Sequence, residues 1–286
     1  MDWITEPLAF EFFRRAMLAA VLAGAIAALI GTYVVLRGMA FIGGALSHAV
    51  LPGVAIAYLL GQSILLGGLV AGIVTSVGIG VVSRHRRLKE DTAIGILLAG
   101  AFALGIAIMS SIRSYTVNLT SLLFGDVLAV TNGDIASLAA VGIVVVAAVV
   151  ILNRKWTIHT FDPTYAQAAG LPVGFLHYAF MILLSLAIVA AMQTVGVLLI
   201  LAMLVTPPAT ARLTCSRIST MMWVSVAWGV ASALAGLYVS YYLDIPSGAA
   251  IVLVSVLMFF LTFLFFQSRS RQSRGLTDAK GMESRS

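Results

Sequence analysis

Nine long apolar runs constrain this chain more than any other feature of its sequence. They cover residues 13–36, 40–60, 62–82, 92–112, 134–152, 174–194, 196–211, 221–243 and 247–266. A helix needs about 20 apolar residues to cross a bilayer, and most of the runs approach that length. With 61% of its residues hydrophobic and 10% charged, the chain also has too much apolar surface for a water-soluble fold. The sequence predicts an all-α polytopic membrane protein with about nine transmembrane helices.

The close succession of the runs leaves little chain for a water-exposed domain. We expect one transmembrane domain over residues 1–266 and a disordered cytoplasmic tail over the Ser/Arg-rich residues 267–286. Pro207 and Pro208 cannot donate backbone hydrogen bonds, so the seventh helix is expected to kink or stop near them. Small residues allow helices to approach closely in lipid. The glycines expected to mark such packing are Gly67, Gly68, Gly100 and Gly105.

Lys and Arg are concentrated on one side of the predicted topology. If the C-terminal tail is cytoplasmic, alternation of nine spans places 14 of the 17 basic residues on that side. The exceptions are Arg14, Arg15 and Arg113. Because cytoplasmic loops retain positive charge, the topology is predicted as N-out and C-in. The same bias accounts for the net charge of +6 without a nucleic-acid partner.

Ionisable residues are scarce inside the runs, and His48 occupies the clearest midspan position. Burying such a group in a membrane costs about 2.5–3.5 kcal/mol, which makes it a functional candidate. Pro52 should break this helix and leave the His48 carbonyl without its donor. An imidazole beside a free carbonyl and Ser47 suits a borderline transition-metal ion. The alternative, that His48 only hydrogen-bonds a neighbouring helix, is equally compatible with a lone histidine.

The other polar residues give weaker indications. The acids Asp126, Asp134 and Asp244 fall on the outer side, where negative charge would concentrate cations. Asp126 lies in residues 119–131, which are too short to span and are expected to form a partial or interfacial helix outside. The remaining histidines, His85, His159 and His177, fit solvated or interfacial positions. The single cysteine, Cys215, excludes an internal disulfide and a cysteine metal cluster.

Residues 161–172, between the fifth and sixth runs, have the pattern of a short helix outside the membrane. Asp162 can cap its N-terminus, Pro163 suits the first helical position and Gly170 can close the C-terminus. An isolated helix this short is marginal in water. We therefore expect it to dock on another protein.

The sequence offers no energy source or catalytic centre of its own. It contains no G-x-x-x-x-G-K-[ST] phosphate loop and no midspan cluster of acids or lysines typical of secondary carriers. An intramembrane enzyme needs convergent catalytic groups, whereas Ser47 and His48, as helix neighbours, point about 100° apart. These features favour a pore subunit that is driven by a separate protein and is not an enzyme.

Four segments resemble the membrane permeases of ABC importers for zinc, manganese or iron. They are VVLRGMAFIGGALSHAVLPG (34–53), FDPTYAQAAGLP (161–172), QTVGVLLILAMLVTPPATARL (193–213) and YYLDIPSGAAIVL (241–253). The resemblance implies a multi-pass cell-membrane protein with the vitamin B12-type (type II) importer permease fold. It also implies a homodimer, a cytoplasmic ABC ATPase and an extracytoplasmic metal-binding protein as partners. The divalent metal ion would be cargo, with no permanently bound cofactor.

The resemblance assigns roles to particular residues. His48 matches the intramembrane histidine of the family's metal path. Four residues of the segment that the ATPase would receive are Asp162, Ala166, Gly170 and Leu171. The family commonly has aspartate four residues before the histidine, where this chain has Gly44. The missing carboxylate would then come from Asp126 or Asp244, or the site would bind metal more weakly.

The metal itself stays open among manganese, zinc and iron. A siderophore or cobalamin permease is the alternative within the transport class. It would have a roomier, less polar cavity and no requirement for His48, and the shortness of the chain speaks against it.

Overall fold

The computed structural model describes residues 5–83, 90–111 and 130–283, and its regular structure is helical throughout these ranges. After a 3₁₀ turn at Pro7–Ala9, the helices are α1 (Glu11–Arg37), α2 (Ile42–Ala49), α3 (Leu51–Leu59), α4 (Ile64–Ser83), α5 (Glu90–Ser110), α6 (Asn132–Phe161), α7 (Pro163–Ala168), α8 (Val173–Val195), α9 (Val197–Thr214), α10 (Ile218–Leu243) and α11 (Ser247–Glu283).

Within those ranges, nine segments are long and apolar enough to cross a membrane, which agrees with the number predicted. Helices α2 and α3 together form one of them, Ile42–Leu59. The apolar part of α11 ends at Gln267, and the polar remainder is helical to Glu283. The disorder expected of residues 267–286 stays a prediction.

Contacts between helix ends fix the relative directions of the spans. Phe13, near the start of α1, meets Tyr238 and Tyr241 near the end of α10, with ring centroids 5.4 and 5.6 Å away. At the other end of α1, the Arg37 guanidinium lies 3.1 Å from His159 Nδ1 near the end of α6. Helix α6 therefore runs in the same direction as α1, as alternation of the predicted spans requires.

Helix α1 lies at the centre of the fold. It is the most buried span, with 67% of its apolar window inside the protein. It packs on α6, α9 and α10. Its Gly24 faces the backbone of Gly229, where an added Cβ would lie 3.2 Å from the Gly229 carbonyl oxygen. The hydroxyl of Thr32 on α1 also lies 3.3 Å from that of Ser225 on α10.

Helix α9 does not stop at its two prolines, as one version of the prediction held, but continues to Thr214 with both inside it. Because Pro208 has no N–H, the carbonyl of Leu204 lacks its donor four residues on. Gly31 of α1 covers this carbonyl so closely that a Cβ there would lie 2.1 Å from its oxygen. The carbonyl without a donor therefore lies in the close contact between α1 and α9.

Glycine packing follows the prediction at three of the four positions. Helices α3 and α4 pack closely at Gly53 and Gly67, since a Cβ added to Gly67 would lie 2.3 Å from the Gly53 carbonyl oxygen. Gly68 packs against Val189 of α8, and Gly105 packs against the α2–α3 break. Gly100 was wrongly expected to mark such a contact, since no heavy atom lies within 4 Å of its added Cβ. It occupies open space on the outer surface of the fold, where it needs no close packing.

Candidate functional site

His48 lies in the last turn of α2, inside the broken span. Its side chain is half-buried and meets the ring of Phe102 on α5 edge to face, with centroids 5.4 Å apart. Helix α2 packs mainly on α5, α8 and α4. The imidazole therefore lies against α5 and retains partial exposure.

The predicted break at Pro52 is confirmed. Helix α2 ends at Ala49 and α3 begins at Leu51, with Pro52 in the first turn of α3. Val50, between them, is both the C-cap of α2 and the N-cap of α3. The His48 carbonyl is not wholly free, because the backbone N–H of Val50 is directed at it. Gly105 lets α5 approach the break closely, since a Cβ there would lie 3.1 Å from the Pro52 nitrogen.

Ser47 is buried, and its hydroxyl donates to the Gly43 carbonyl at 2.9 Å. This bond to the preceding turn is common for serine in helices and needs no metal. In this structure Ser47 contributes to the helix, and its metal-binding role stays a prediction.

The structure does not assemble a set of acidic ligands around His48. Asp244 is exposed and caps α10 in a left-handed conformation, with φ 52°. Helix α10 packs chiefly on α1, α9 and α11, whereas α2 packs mainly on α5. Asp126 lies outside the described residues. Among the described residues, no group of three or more His, Cys, Asp or Glu could hold a metal ion.

Gly44 has room for the side chain that the resemblance leads one to expect there. An added Cβ would meet only Leu201 Cδ2, at the ordinary contact distance of 3.7 Å. At the adjacent Gly43, by contrast, two leucine methyl groups would lie 2.9 Å away. Because residues 44 and 48 lie one turn apart, a carboxylate at position 44 would share a helix face with the imidazole.

The short helix predicted in residues 161–172 is confirmed as α7. The Asp162 carboxylate accepts from the Tyr165 N–H at 2.8 Å, Pro163 begins the helix, and Gly170 follows its end with φ 75°. Ala166 is fully buried, whereas Tyr165 is 60% exposed. Ala166 thus anchors α7 to the permease, and the face that holds Tyr165 is open to a partner.

Leu171 lies just after α7. Its side chain is partly buried and packs against the hydrophobic core. Of the four residues that the resemblance assigned to the ATPase, Ala166 and Leu171 therefore face inward, while Asp162 and Gly170 are exposed. The two inward residues hold the segment in position.

A polar cluster beside α7 was missed by sequence reasoning. Of the two expectations for His159, solvated or interfacial, the solvated one is wrong because the side chain is buried. Its Nδ1 lies 3.1 Å from Arg37 Nη2. Arg37 Nε donates to Thr160 Oγ1 at 3.2 Å, and its guanidinium lies 4.2 Å from the centre of the Phe180 ring. These contacts join the ends of α1 and α6 to α8, next to Asp162. The pattern of a single helix cannot indicate such a contact.

Two proteins of known description are similar to this chain over most of its length. The manganese transport system membrane protein MntC of Halalkalibacterium halodurans is 47% identical over 258 residues, which are 90% of this chain and 88% of that protein. A probable iron transport system membrane protein of Haemophilus influenzae is 39% identical over 270 residues, 94% of this chain and 99% of that protein.

Solved structures include a close match in fold. A chain of the structure titled "PsaBC from Streptococcus pneumoniae in complex with Fab" superposes with a TM-score of 0.80 at 37% identity, covering 92% of this chain and 94% of that one. Residues 9–266 match the sequence pattern of the family described as "ABC 3 transport family". That match includes the nine candidate spans of the described residues up to residue 266, so the chain is a multi-pass membrane protein that belongs to the ABC 3 transport family.

Proposed function

We propose that this chain is the permease of an ABC importer for a divalent transition-metal ion, with manganese as the first candidate. The observation that carries the proposal is the half-buried His48 at the α2–α3 break. Neutral imidazole binds manganese, iron and zinc, and irregular backbone inside a membrane is tolerated where it lines a cavity. The 47% identity to a protein named for manganese transport favours that metal over zinc and iron.

The remaining ligands come from outside the immediate surroundings of His48. In a two-fold symmetric homodimer each copy would supply one imidazole at the same depth. Asp126, Asp244 and water are the other oxygen sources we propose. An ion held by few protein ligands is released readily, which suits a path that passes cargo without chemistry on it.

ATP hydrolysis would be supplied by a cytoplasmic subunit that binds α7. The exposed Tyr165 gives that subunit an aromatic contact, while the buried Ala166 transmits its movement to α6 and α8, on which α7 packs. An extracytoplasmic metal-binding protein would deliver the ion to the opposite side. The Arg37–His159 contact would help the ends of α1, α6 and α8 move as one unit.

Uptake of manganese, zinc and iron by cells that contain the whole transporter tests this proposal. We expect uptake of manganese to exceed that of the other two ions and to stop when the ATPase subunit is inactivated. Uptake that persists without an active ATPase contradicts the ABC assignment. Equal uptake of a siderophore or cobalamin would favour the alternative substrate class.

A further inference from the structure

An apolar groove of about 840 Å³ lies on the surface between α1, α6 and α10. Its walls are apolar side chains, among them Leu22, Ile26, Val146, Val150 and Met222, with the exposed Trp223 at its edge. Along α6 the groove extends from Ala139 to Asn153. That distance is about 21 Å of helix, longer than the half-thickness of a hydrocarbon core of about 30 Å.

A second cavity, of about 550 Å³, continues the groove at the end of α6 and the start of α10. The two cavities share Asn153 and Ser219 in their linings. Arg154 and Arg217 line the second cavity, and no carboxylate is among its lining residues. In the part of the chain that the structure describes, the recorded ion pair is Glu11–Arg15, so neither lining arginine is neutralised by an acid there.

The two cavities together are complementary in shape and polarity to an anionic amphiphile. One end is a long apolar slot, and the other is a cationic chamber on the side that the charge distribution places in the cytoplasm. Helix α10 begins at this chamber without a side-chain cap, which adds unpaired N–H groups to the two guanidinium groups. Guanidinium and backbone N–H groups both bind phosphate oxygens.

We propose that the groove and the chamber form one binding site for an anionic phospholipid of the inner leaflet. One acyl chain lies in the groove between α1, α6 and α10, and the phosphate contacts Arg154 and Arg217. The bound lipid joins the end of α6, which leads into α7, to the start of α10. The inference does not depend on which ion is transported.

A second copy of the chain is a poorer occupant of this face. In a dimer whose two-fold axis runs along the membrane normal, pairing through the groove would bring the same arginines towards each other at the same depth. Like charges brought together in this way oppose association. An anionic headgroup, by contrast, complements the charge of the chamber.

Quenching of Trp223 fluorescence by phospholipids with brominated acyl chains tests the proposal on the full-length permease in detergent micelles. The signal of Trp223 is obtained by difference from the Trp223→Phe variant. We expect brominated phosphatidylglycerol to quench Trp223 at a concentration about tenfold or more below that needed for brominated phosphatidylcholine.

Variants separate the headgroup contact from the acyl groove. The double substitution Arg154→Gln and Arg217→Gln should abolish the preference for phosphatidylglycerol. Arg14→Gln, an exposed arginine on the opposite side, should leave it unchanged. Ala147→Phe, which fills the groove, should weaken quenching by both lipids.

Three results would overturn the proposal. They are equal quenching of the unmodified protein by both lipids, a preference that survives the double substitution, and an equal loss of preference in Arg14→Gln. Absence of quenching by either lipid, together with cross-linking of two copies through this face, would assign the groove to a second copy instead.

Discussion

The imidazole of His48 meets the ring of Phe102 edge to face, with the centroids 5.4 Å apart. This contact joins the break between α2 and α3 to α5, a span of which only 17% of the apolar window is buried. Phe102 is itself 38% exposed. Phe102 therefore covers His48 on the side that faces α5.

Phe102→Ala should make His48 more accessible, because it removes the ring that covers one edge of the imidazole. We expect diethyl pyrocarbonate to modify the peptide containing His48 several-fold faster in this variant, as measured by mass spectrometry. Leu104→Ala, at a 55% exposed position of the same helix, is the matched control and should leave the rate unchanged. An unchanged rate in Phe102→Ala would contradict a covering role.

Gly44→Asp should strengthen metal binding. The site has room for a side chain, and the carboxylate would lie one helix turn from His48. We expect the Kd for manganese, measured by calorimetry on the purified transporter, to fall by about tenfold, since an added charged ligand raises affinity for a divalent cation. Gly44→Asn introduces nearly the same volume without charge. Equal effects of the two variants would show that His48 and position 44 do not share an ion.

Gly31→Ala should destabilise the permease, because the added methyl would lie 2.1 Å from the Leu204 carbonyl oxygen. Overpacking of this kind costs about 1–3 kcal/mol. The expected result is an apparent Tm lower by several degrees in detergent, measured from the loss of monodisperse protein on heating. Gly95→Ala is the control, since no heavy atom lies within 4 Å of its added Cβ. Similar Tm values for the two variants would contradict the close packing of α1 on α9.

Tyr165→Ala should weaken binding of the ATPase subunit while leaving the permease folded, because this side chain is 60% exposed on α7. Co-purification of the ATPase with the detergent-extracted permease measures the effect, and we expect recovery of the subunit to fall several-fold. Tyr242→Ala, at the far end of α10, makes the same substitution on the opposite side. If both variants retain the ATPase equally, α7 is not its docking site.

The sequence was sufficient for the number of spans, the break at Pro52 and the helix at α7, because each depends on local pattern and local hydrogen bonding. Contacts between distant segments were not predictable in this way. Phe102 and His48 are 54 positions apart, and Arg37 and His159 are separated by 122. No periodicity of one helix indicates which face of another it will meet.

The course of α9 shows the same limit. Local chemistry predicts that the helix kinks or stops near Pro207 and Pro208, yet it does not stop, and the carbonyl that Pro208 leaves without a donor lies under Gly31 of α1. The position of this carbonyl in the contact between α1 and α9 was not predictable from the sequence of α9. The C-terminal end of α6 also lies beyond the apolar run, which ends at residue 152, because the helix continues to Phe161. Tyr33 of α1 donates a hydrogen bond to Asn153 Oδ1 at 2.8 Å just past the end of the run.

The measurement that most directly tests the central claim is manganese uptake by cells in which His48→Ala replaces the natural permease. The account predicts that uptake falls to the level of cells without the permease, while immunodetection shows the variant in the membrane at a normal amount. His177→Ala, a histidine near the start of α8, should retain uptake. Normal uptake by a correctly inserted His48→Ala protein would contradict the assignment of His48 to the metal path.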